Sequence, residues 1–184
     1  TASVIRRRKL LEDFIDIVGE LVEEGYPVLG VIAGGGKYAD PVYFKELEML
    51  IVKRDLSEHV KMLGNLEEVA HFYQGLDIFV STSELETFGM SVCEAMAFSL
   101  PVVAYVGGSV GEVLGDPRCV VDVGQKVQLL DKLRCVVKDK DYAATLANRN
   151  RERAFTHFDA KVLAKRIEGI YTSVCGPLAD NENT

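Results

Sequence analysis

Three carboxylates surround a Phe-Gly turn in the stretch SELETFGMSVCEAMAFSLPVVA, residues 83–104. Glu84 and Glu86 precede the turn, and Glu94 follows Glu86 by eight positions. One interpretation is local, because Ser91-x-x-Glu94 matches a capping box, in which both side chains satisfy free backbone donors at a helix start. In that case Glu94 contributes about 1 kcal/mol of helix stability and has no chemical role.

A second interpretation moves the helix start back to Phe88 or Gly89. The amides of residues 89–91 would then be free donors that can face a bound anion. Glu94 would lie more than one turn inside the helix, where its carboxylate can accept two hydroxyl hydrogen bonds, as from a ribose. Glu86 would lie outside the helix, on the other side of the same anion. The residues alone leave both interpretations open.

The run AGGGK, residues 33–37, is a further candidate for ligand binding. It follows an apolar stretch, and its flexible backbone suits close approach to an anion or a nucleoside. However, it matches neither GxGxxG nor the phosphate loop that ends in Gly-Lys-Ser/Thr. A tight strand-to-helix turn would also use glycines, and short glycine motifs often occur without a ligand, so a structural role is the simpler explanation of the run on its own.

The charge of the chain excludes one class of partner. A net charge of −7 and a pI near 5.1 argue against a nucleic-acid partner held by phosphate neutralisation. The basic cluster Arg6-Arg7-Arg8-Lys9 stands at the start of a predicted helix. Positive charge there opposes the helix dipole, which hints at an anion nearby, although a solvated charge run is the simpler explanation.

The four cysteines are far apart without a Cys-x-x-Cys pair, and the chain has three histidines. We therefore expect neither a zinc site nor a disulfide framework. A reducing compartment is the simpler explanation of these cysteines. No apolar run approaches the ~20 residues of a membrane span, and residues 1–14 lack the order of a signal peptide. These features predict a cytoplasmic chain.

Strand and helix patterns alternate along the 184 residues, a length that fits one domain. This alternation predicts a parallel sheet with helices on both faces, in which ligands bind beyond the carboxyl ends of the strands. We predict a domain over residues 1–174 and a flexible tail over 175–184. The predicted strands are 2–5, 27–33, 60–64, 76–82, 100–105 and 118–123. A helix is predicted from about Pro41 to Arg54, and three helical pieces between 125 and 174, with breaks near 138–141 and 155–159.

The stretch ELETFGMSVCEAMAFSLPVVA resembles the motif of two glutamates separated by seven residues in retaining nucleotide-sugar glycosyltransferases of group 1, which have the GT-B fold. The segments VLGVIAGGGK, HVKMLGNLEEVAHFYQGLDIFVSTS, VGGSVGEVL and FDAKVLAKRIEGIY are similar to other parts of that family, in the same order. The resemblance implies a single Rossmann-like, doubly wound sheet that forms the C-terminal, donor-binding half of a GT-B enzyme.

By this resemblance the chain binds a UDP- or GDP-sugar and works with an N-terminal acceptor-binding domain, through which it could associate with the cytoplasmic face of a membrane. The reaction would be transfer of a hexose to a glycan or lipid-linked acceptor in polysaccharide biosynthesis. Two alternatives with the same fold are a nucleotide-sugar epimerase and a non-catalytic binding module.

The resemblance also implies roles for individual residues. Glu86 would contact the hexose and stabilise the transition state, Glu94 would hold the ribose hydroxyls, and Lys9 would pair with the diphosphate. A lysine and a helix N-terminus stabilise the negative charge that develops on the departing phosphate, so no metal is expected. The other donor-binding positions would be Arg6, Gly34, Gly35, Gly36, Leu63, Asn65, Phe88, Gly89, Met90 and Ser91.

The chain departs from the family pattern around the phosphate lysine. The family usually has Gly-Arg ahead of this lysine and glycine after it, whereas here the arginine position falls on Val4 and the second glycine on Leu10. Either Arg6 or Arg7 substitutes, or diphosphate binding is weaker, or the register of Lys9 differs. Ser99 also stands where glycine is usual, which we expect to affect packing only.

Overall fold

The computed structural model describes residues 1–176. Within that range helices and strands alternate, as the sequence predicts. The strands are β1 (Gly30–Ala33), β2 (Val60–Gly64), β3 (Phe79–Ser81), β4 (Val102–Tyr105) and β5 (Val120–Val121). The helices are α1 (Leu11–Glu23), α2 (Pro41–Lys53), α3 (Val69–Gln74), α4 (Met90–Ala97), α5 (Val110–Leu114), α6 (Lys126–Lys138), α7 (Lys140–His157) and α8 (Ala160–Cys175).

All strand pairs are parallel, and helices lie on both sides, which confirms the predicted fold class. The hydrogen-bonded pairs fall into two groups, β1 with β2 and β3-β4-β5, rather than one continuous sheet. The strand predicted over residues 2–5 is reduced to one bridge, between Ala2 and Ala33. No ladder joins the two groups within the part of the chain that the structure describes.

Several helices begin at an Asp that the sequence places just ahead of them. Asp40 accepts hydrogen bonds from the amides of Val42 and Tyr43, with Pro41 as the first residue of α2. Asp139 and Asp159 cap α7 and α8 in the same way. A side-chain acceptor at this position satisfies amides that have no partner inside the helix. The starts of α2, α7 and α8 are therefore encoded locally.

The core lies between the strands and the helices that cover them. Every residue of β4 is buried, which explains the continuous apolar run in the sequence. Helix α4 packs against α7, and α1 packs against both α2 and α6. In contrast, α8 has no buried residue, although Ile167 and Tyr171 are among its apolar side chains. The sheet and the first seven helices therefore hold the core.

The predicted boundary between a domain over residues 1–174 and a tail over residues 175–184 stays a prediction. Cys175 is the last residue of α8, because the helical pattern continues to that point. Residues 177–184 lie outside the described range, so the prediction of flexibility is not addressed for them. Among the described helices, none is long and apolar enough to cross a membrane.

Candidate functional site

Helix α4 begins at Met90, and its N-cap is Gly89 in the left-handed conformation with φ of 82°. The first bond of the helix runs from Cys93 N to Gly89 O, 3.0 Å. No side chain caps this end of α4, and Ser91 is the second residue of the helix. The capping-box interpretation of Ser91 and Glu94 is therefore wrong. The helix starts one residue beyond the predicted Phe88 or Gly89, and its first amides lack a side-chain acceptor.

Glu86 lies four residues before α4 and forms an ion pair with Lys9. The same carboxylate oxygen, Oε1, accepts a hydrogen bond from Ser83 Oγ at 2.8 Å. The Lys9 side chain is 9% exposed and that of Glu86 is 15% exposed, so water screens the pair only weakly. Two predicted site residues from distant parts of the sequence are thus in direct contact.

The backbone of Glu86 is held by the loop that follows β4. Ser109 N donates to Glu86 O at 3.1 Å, and Gly108 forms a bridge with Glu86. A Cβ on Gly108 would lie 2.1 Å from Glu86 O, and one on Gly107 would lie 2.4 Å from Ser83 O. Only glycine fits such close backbone contacts, so Gly107 and Gly108 are required for the position of Glu86. Sequence reasoning quoted these glycines but gave them no role.

Lys9 is positioned by contacts between its loop and the loop after β3. Thr82 Oγ1 donates to Lys9 O at 2.8 Å, and Glu84 N donates to Arg8 O at 2.8 Å. The next residue, Leu10, adopts the left-handed conformation with φ of 45° and ψ of 47°. Glycine is the residue that favours this conformation, and Leu10 occupies the position where the group 1 pattern has one. The role of Lys9 as the phosphate lysine stays a prediction.

Glu94 lies inside α4 and accepts a hydrogen bond from Tyr73 Oη at 2.7 Å. Tyr73 comes from α3, is 2% exposed and stacks on Phe98 with ring centroids 5.4 Å apart. Burial and the hydrogen bond to Glu94 raise the pKa of Tyr73 far above its usual range, so the phenol stays a donor. Sequence reasoning missed Tyr73, because the helical pattern of its segment carries no sign of a partner 21 positions later.

The glycine turn lies against the end of β2. Gly34 N donates to Gly64 O at 2.8 Å, and a Cβ on Gly35 would lie 3.2 Å from Asn65 N. Gly36 faces the side chain of the same Asn65. The structure therefore brings together the glycines and Asn65 as one wall, and Leu63 beside them is 43% exposed. The direct contact with a nucleoside that the resemblance implies stays a prediction.

The two arginines considered as substitutes for the missing family arginine contact α2 and the loop ahead of it. Arg6 Nε donates to Tyr38 O at 2.9 Å, and Arg7 pairs with Glu46 at 2.8 Å. Arg6, Arg7 and Arg8 line an open depression of about 500 Å³ together with residues 37–40. Arg6 thus contacts the loop that follows the glycine turn, whereas the guanidinium of Arg7 pairs with a glutamate of α2.

Phe88 is one of the predicted donor-binding residues, and its side chain contacts another aromatic ring. The ring of Phe88 meets Phe158 edge-on, with centroids 5.6 Å apart, so this side chain packs toward the junction of α7 and α8.

Within residues 1–176, no three His, Cys, Asp or Glu side chains are grouped so that they could hold a metal ion.

The family model for glycosyl transferases group 1 matches residues 1–153, which includes both glutamates, Lys9 and the glycine turn. The chain belongs to this family. The N-acetyl-alpha-D-glucosaminyl L-malate synthase of Bacillus anthracis is 25% identical over 183 residues, covering 98% of this chain and 46% of that protein. The lipopolysaccharide core biosynthesis mannosyltransferase LpsB of Rhizobium meliloti is 22% identical, covering 92% and 50%. The chain therefore spans about half the length of these curated relatives.

Two solved structures have the same fold as this chain. HepE of Anabaena, solved in complex with UDP, gives a TM-score of 0.85 at 25% identity, covering 93% of this chain and 47% of that chain. The C-terminal domain of a group 1 glycosyl transferase, LpcC of Francisella tularensis, gives a TM-score of 0.77 at 24% identity. That match covers 87% of this chain and 84% of the domain. The chain has the fold of a C-terminal GT-B domain, as the sequence predicts.

Proposed function

We propose that this chain is the donor-binding domain of a retaining glycosyltransferase, which transfers a hexose from a nucleotide-sugar to a glycan or lipid-linked acceptor. The observation that carries the proposal is the contact between Lys9 and Glu86 beside the uncapped start of α4. A partner domain supplies the acceptor and closes the cleft, in keeping with relatives about twice as long.

The diphosphate is assigned to Lys9 and the first amides of α4. A helix N-terminus carries about half a positive charge. No side chain caps the first amides of α4, so these amides are free to bind an anion. Lys9 adds a full charge in a place that is shielded from water. These donors stabilise the negative charge that grows on the phosphate as the bond to the sugar breaks. This chemistry assigns no role to a metal, which stays a prediction.

The sugar is assigned to Glu86, and the ribose to Glu94. Glu86 is held from its backbone by Ser109 and from its side chain by Ser83, so little reorganisation is needed to present the carboxylate. A carboxylate can accept about four hydrogen bonds, and that of Glu94 accepts one from Tyr73 Oη. It therefore keeps capacity for the two hydroxyls of a ribose.

Support for a nucleotide donor comes from HepE, whose structure holds UDP in a protein of the same fold. The likeness does not specify the base of the donor bound by this chain. Residues 34–36 and Asn65 form the wall where we place the nucleoside, and contacts there would choose between uracil and guanine. The donor is accordingly proposed as a UDP- or GDP-sugar.

A thermal-shift screen of UDP, GDP and their hexose derivatives against this chain tests the donor-binding role. One nucleotide series should raise the Tm by several degrees, as expected when ligand exceeds its Kd by about 100-fold. Glu94→Ala should remove the shift, whereas replacement of the exposed Glu112, on α5, should not. EDTA should leave the shift unchanged. A flat response to every nucleotide would refute the proposal.

Transfer itself requires the full-length protein. Its purified form should transfer hexose from the nucleotide-sugar that binds best, with retention of the anomeric configuration. Interconversion of the nucleotide-sugar without an acceptor would instead identify an epimerase. Nucleotide-sugar binding without any turnover would identify a non-catalytic module, and so would transfer that continues at the wild-type rate in Glu86→Ala.

A further inference from the structure

Two helical segments meet at Leu10. Residues Arg7–Lys9 form a single turn of 3-10 helix, and α1 begins at Leu11. Leu10 between them is left-handed, a conformation that costs a residue with a side chain more free energy than it costs glycine. Arginine, lysine and leucine all favour helices, so the local sequence favours one continuous helix from Arg7 into α1. A contact from outside this segment therefore has to hold the break.

The break at Leu10 decides where Lys9 points. In a continuous helix the amide of Leu11 would donate to the carbonyl of Arg7, four residues earlier. Arg7 O instead accepts from Leu10 N at 2.9 Å, and the chain turns before α1. Lys9, the last residue ahead of this turn, is thereby directed to Glu86, with which it pairs. Loss of the left-handed conformation would rotate Lys9 away from that carboxylate.

A tyrosine of α2 binds the amide that the break releases. Leu11 N donates to Tyr43 Oη at 2.9 Å, and the two residues are 1% and 2% exposed. Leu10, the N-cap of α1, has no acceptor in its own side chain. A buried amide without an acceptor is strongly unfavourable. Tyr43 Oη therefore stabilises the conformation in which Leu11 N no longer bonds to the preceding turn.

The phenol of Tyr43 is itself held in place. Its Oη donates to the carboxylate of Glu12, so the proton is engaged there and the lone pairs remain for the amide of Leu11. Burial and the hydrogen bond to Glu12 raise the pKa of Tyr43 far above its usual range, so the phenol stays protonated. The guanidinium carbon of Arg7 lies 5.3 Å from the ring centroid, and Arg7 also pairs with Glu46 of α2. Charged groups on both helices and on the loop thus orient the ring.

We propose that Tyr43 is a positioning residue, which holds Lys9 against Glu86. It acts by accepting the amide of Leu11 and thereby stabilising the left-handed conformation of Leu10. The consequence for binding a diphosphate rests on the proposed function, whereas the position of the lysine does not.

Acylation of Lys9 by acetic anhydride tests this position without any ligand. The reagent modifies a released amine, so the rate follows the population of the conformation in which Lys9 has left Glu86. Tyr43→Phe removes the acceptor and keeps the ring. It should raise the rate at Lys9, measured by mass spectrometry relative to the exposed Lys53, at least about tenfold. Modification of Tyr43→Phe at the wild-type rate would overturn the proposal.

Tyr105→Phe is the matched control. Tyr105 Oη also donates to a carboxylate in the first turn of α1, that of Asp13, at 2.7 Å. Within residues 1–176 it makes no hydrogen bond to a backbone amide, so its loss should leave acylation of Lys9 unchanged. Both variants keep the volume of the ring, so both should fold. Equal acceleration in the two variants would show a general loss of stability and overturn the proposal.

Substitution of Leu10 separates positioning from packing. Glycine adopts the left-handed conformation freely and is a poor helix former, so Leu10→Gly should return the rate of Tyr43→Phe to within about twofold of the wild type. Leu10 packs against the core, and Leu10→Ala loses a similar contact. Alanine favours the continuous helix, so this variant should give no rescue. Rescue by both substitutions, or by neither, would overturn the proposal.

Calorimetry with UDP or GDP connects the position of Lys9 to the donor site. Tyr43→Phe should weaken binding of the nucleoside diphosphate by about fivefold and leave that of the free nucleoside unchanged, since only the diphosphate meets Lys9. In the Lys9→Met background the same change should alter binding by less than about twofold. Equal losses in both backgrounds would overturn the inference. If the wild-type chain binds neither nucleotide but acylation follows the expected pattern, the proposed function fails and Tyr43 is still the residue that positions Lys9.

Discussion

The two glutamates of the motif flank the start of α4, and they are held by different chemistry. Glu86, ahead of the helix, pairs with the cation of Lys9 and with Ser83 Oγ. Glu94, inside the helix, accepts from the neutral phenol of Tyr73. One carboxylate is therefore balanced by charge and the other by a hydrogen-bond donor. The difference matches the proposed division of labour, in which Glu86 acts on charge that develops during reaction and Glu94 holds neutral hydroxyls.

A charge-balanced carboxylate and a hydrogen-bonded one respond differently to mutation. Removing a charge at Glu86 should affect mainly the transition state, since that is where charge develops. Removing the charge of Glu94 should instead affect ground-state binding of the nucleotide.

Glu86→Gln in the full-length protein should lower the transfer rate by about 10³-fold, since one electrostatic stabiliser of a transition state is worth 10²–10³. The Kd for the nucleoside diphosphate should change by less than about threefold, because the product lacks the sugar. Steady-state kinetics and calorimetry measure the two quantities. Glu84→Gln, two positions earlier on an exposed side chain, is the control. A transfer rate near that of the wild type would remove Glu86 from catalysis.

Glu94→Gln should weaken nucleoside diphosphate binding to this chain by about 30-fold, because two hydrogen bonds to a charged acceptor are replaced by weaker ones. The loss should vanish for a 2′,3′-dideoxynucleotide, which has no hydroxyls to bind. Calorimetric titration of both ligands measures the difference. An equal loss for both ligands would show that Glu94 acts through the stability of α4 and leave the ribose role without support.

Lys9→Met should weaken diphosphate binding by about tenfold and reduce its salt dependence, because one positive charge is lost from the site. It also leaves Glu86 without its cation in a weakly solvated place, so the Tm should fall. The double variant Lys9→Met/Glu86→Gln should recover part of that Tm. Lys126→Met, which breaks the ion pair with Asp16 on α1, is the matched control and should leave binding unchanged. No change in binding for Lys9→Met would contradict the assignment.

Tyr73→Phe should weaken nucleotide binding by about threefold to fivefold, because the carboxylate of Glu94 loses the donor that orients it. The aromatic packing on Phe98 is retained. Tyr105→Phe is a close control, since Tyr105 Oη donates to Asp13 at 2.7 Å and is equally buried, but belongs to β4 and α1. Similar effects of both variants on nucleotide binding would show that Tyr73 has only a structural role.

Much of the fold follows from local patterns. The predicted strand over residues 60–64 coincides with β2, and the helix predicted from Pro41 begins there because Asp40 caps it. The breaks predicted near 138–141 and 155–159 fall at the caps Asp139 and Asp159. These features depend on neighbours within a few residues, so periodicity and cap chemistry are sufficient to place them.

Local sequence patterns did not predict the backbone conformation at the site. Ser91 and Glu94 have capping-box spacing, yet α4 begins at Met90 with Gly89 as its N-cap, because Glu86 and the loop around Gly108 hold the preceding turn. Leu10 is left-handed although nothing in its side chain favours that conformation, since Lys9 must meet the loop after β3. Both outcomes depend on contacts between segments that are distant in sequence, which local propensity does not contain.

Local patterns were sufficient to predict the alternation of strands and helices, the starts of α2, α7 and α8, and the motif that places the chain among group 1 proteins. The tertiary structure alone decided which groups meet. Lys9 reaches Glu86 across 77 positions, and Tyr73 reaches Glu94 from another helix. It also decided that the strands form two hydrogen-bonded groups, β1 with β2 and β3-β4-β5. The physical reason is that burial and pairing depend on how strand ends converge in space, and residue types restrict that convergence without specifying each contact.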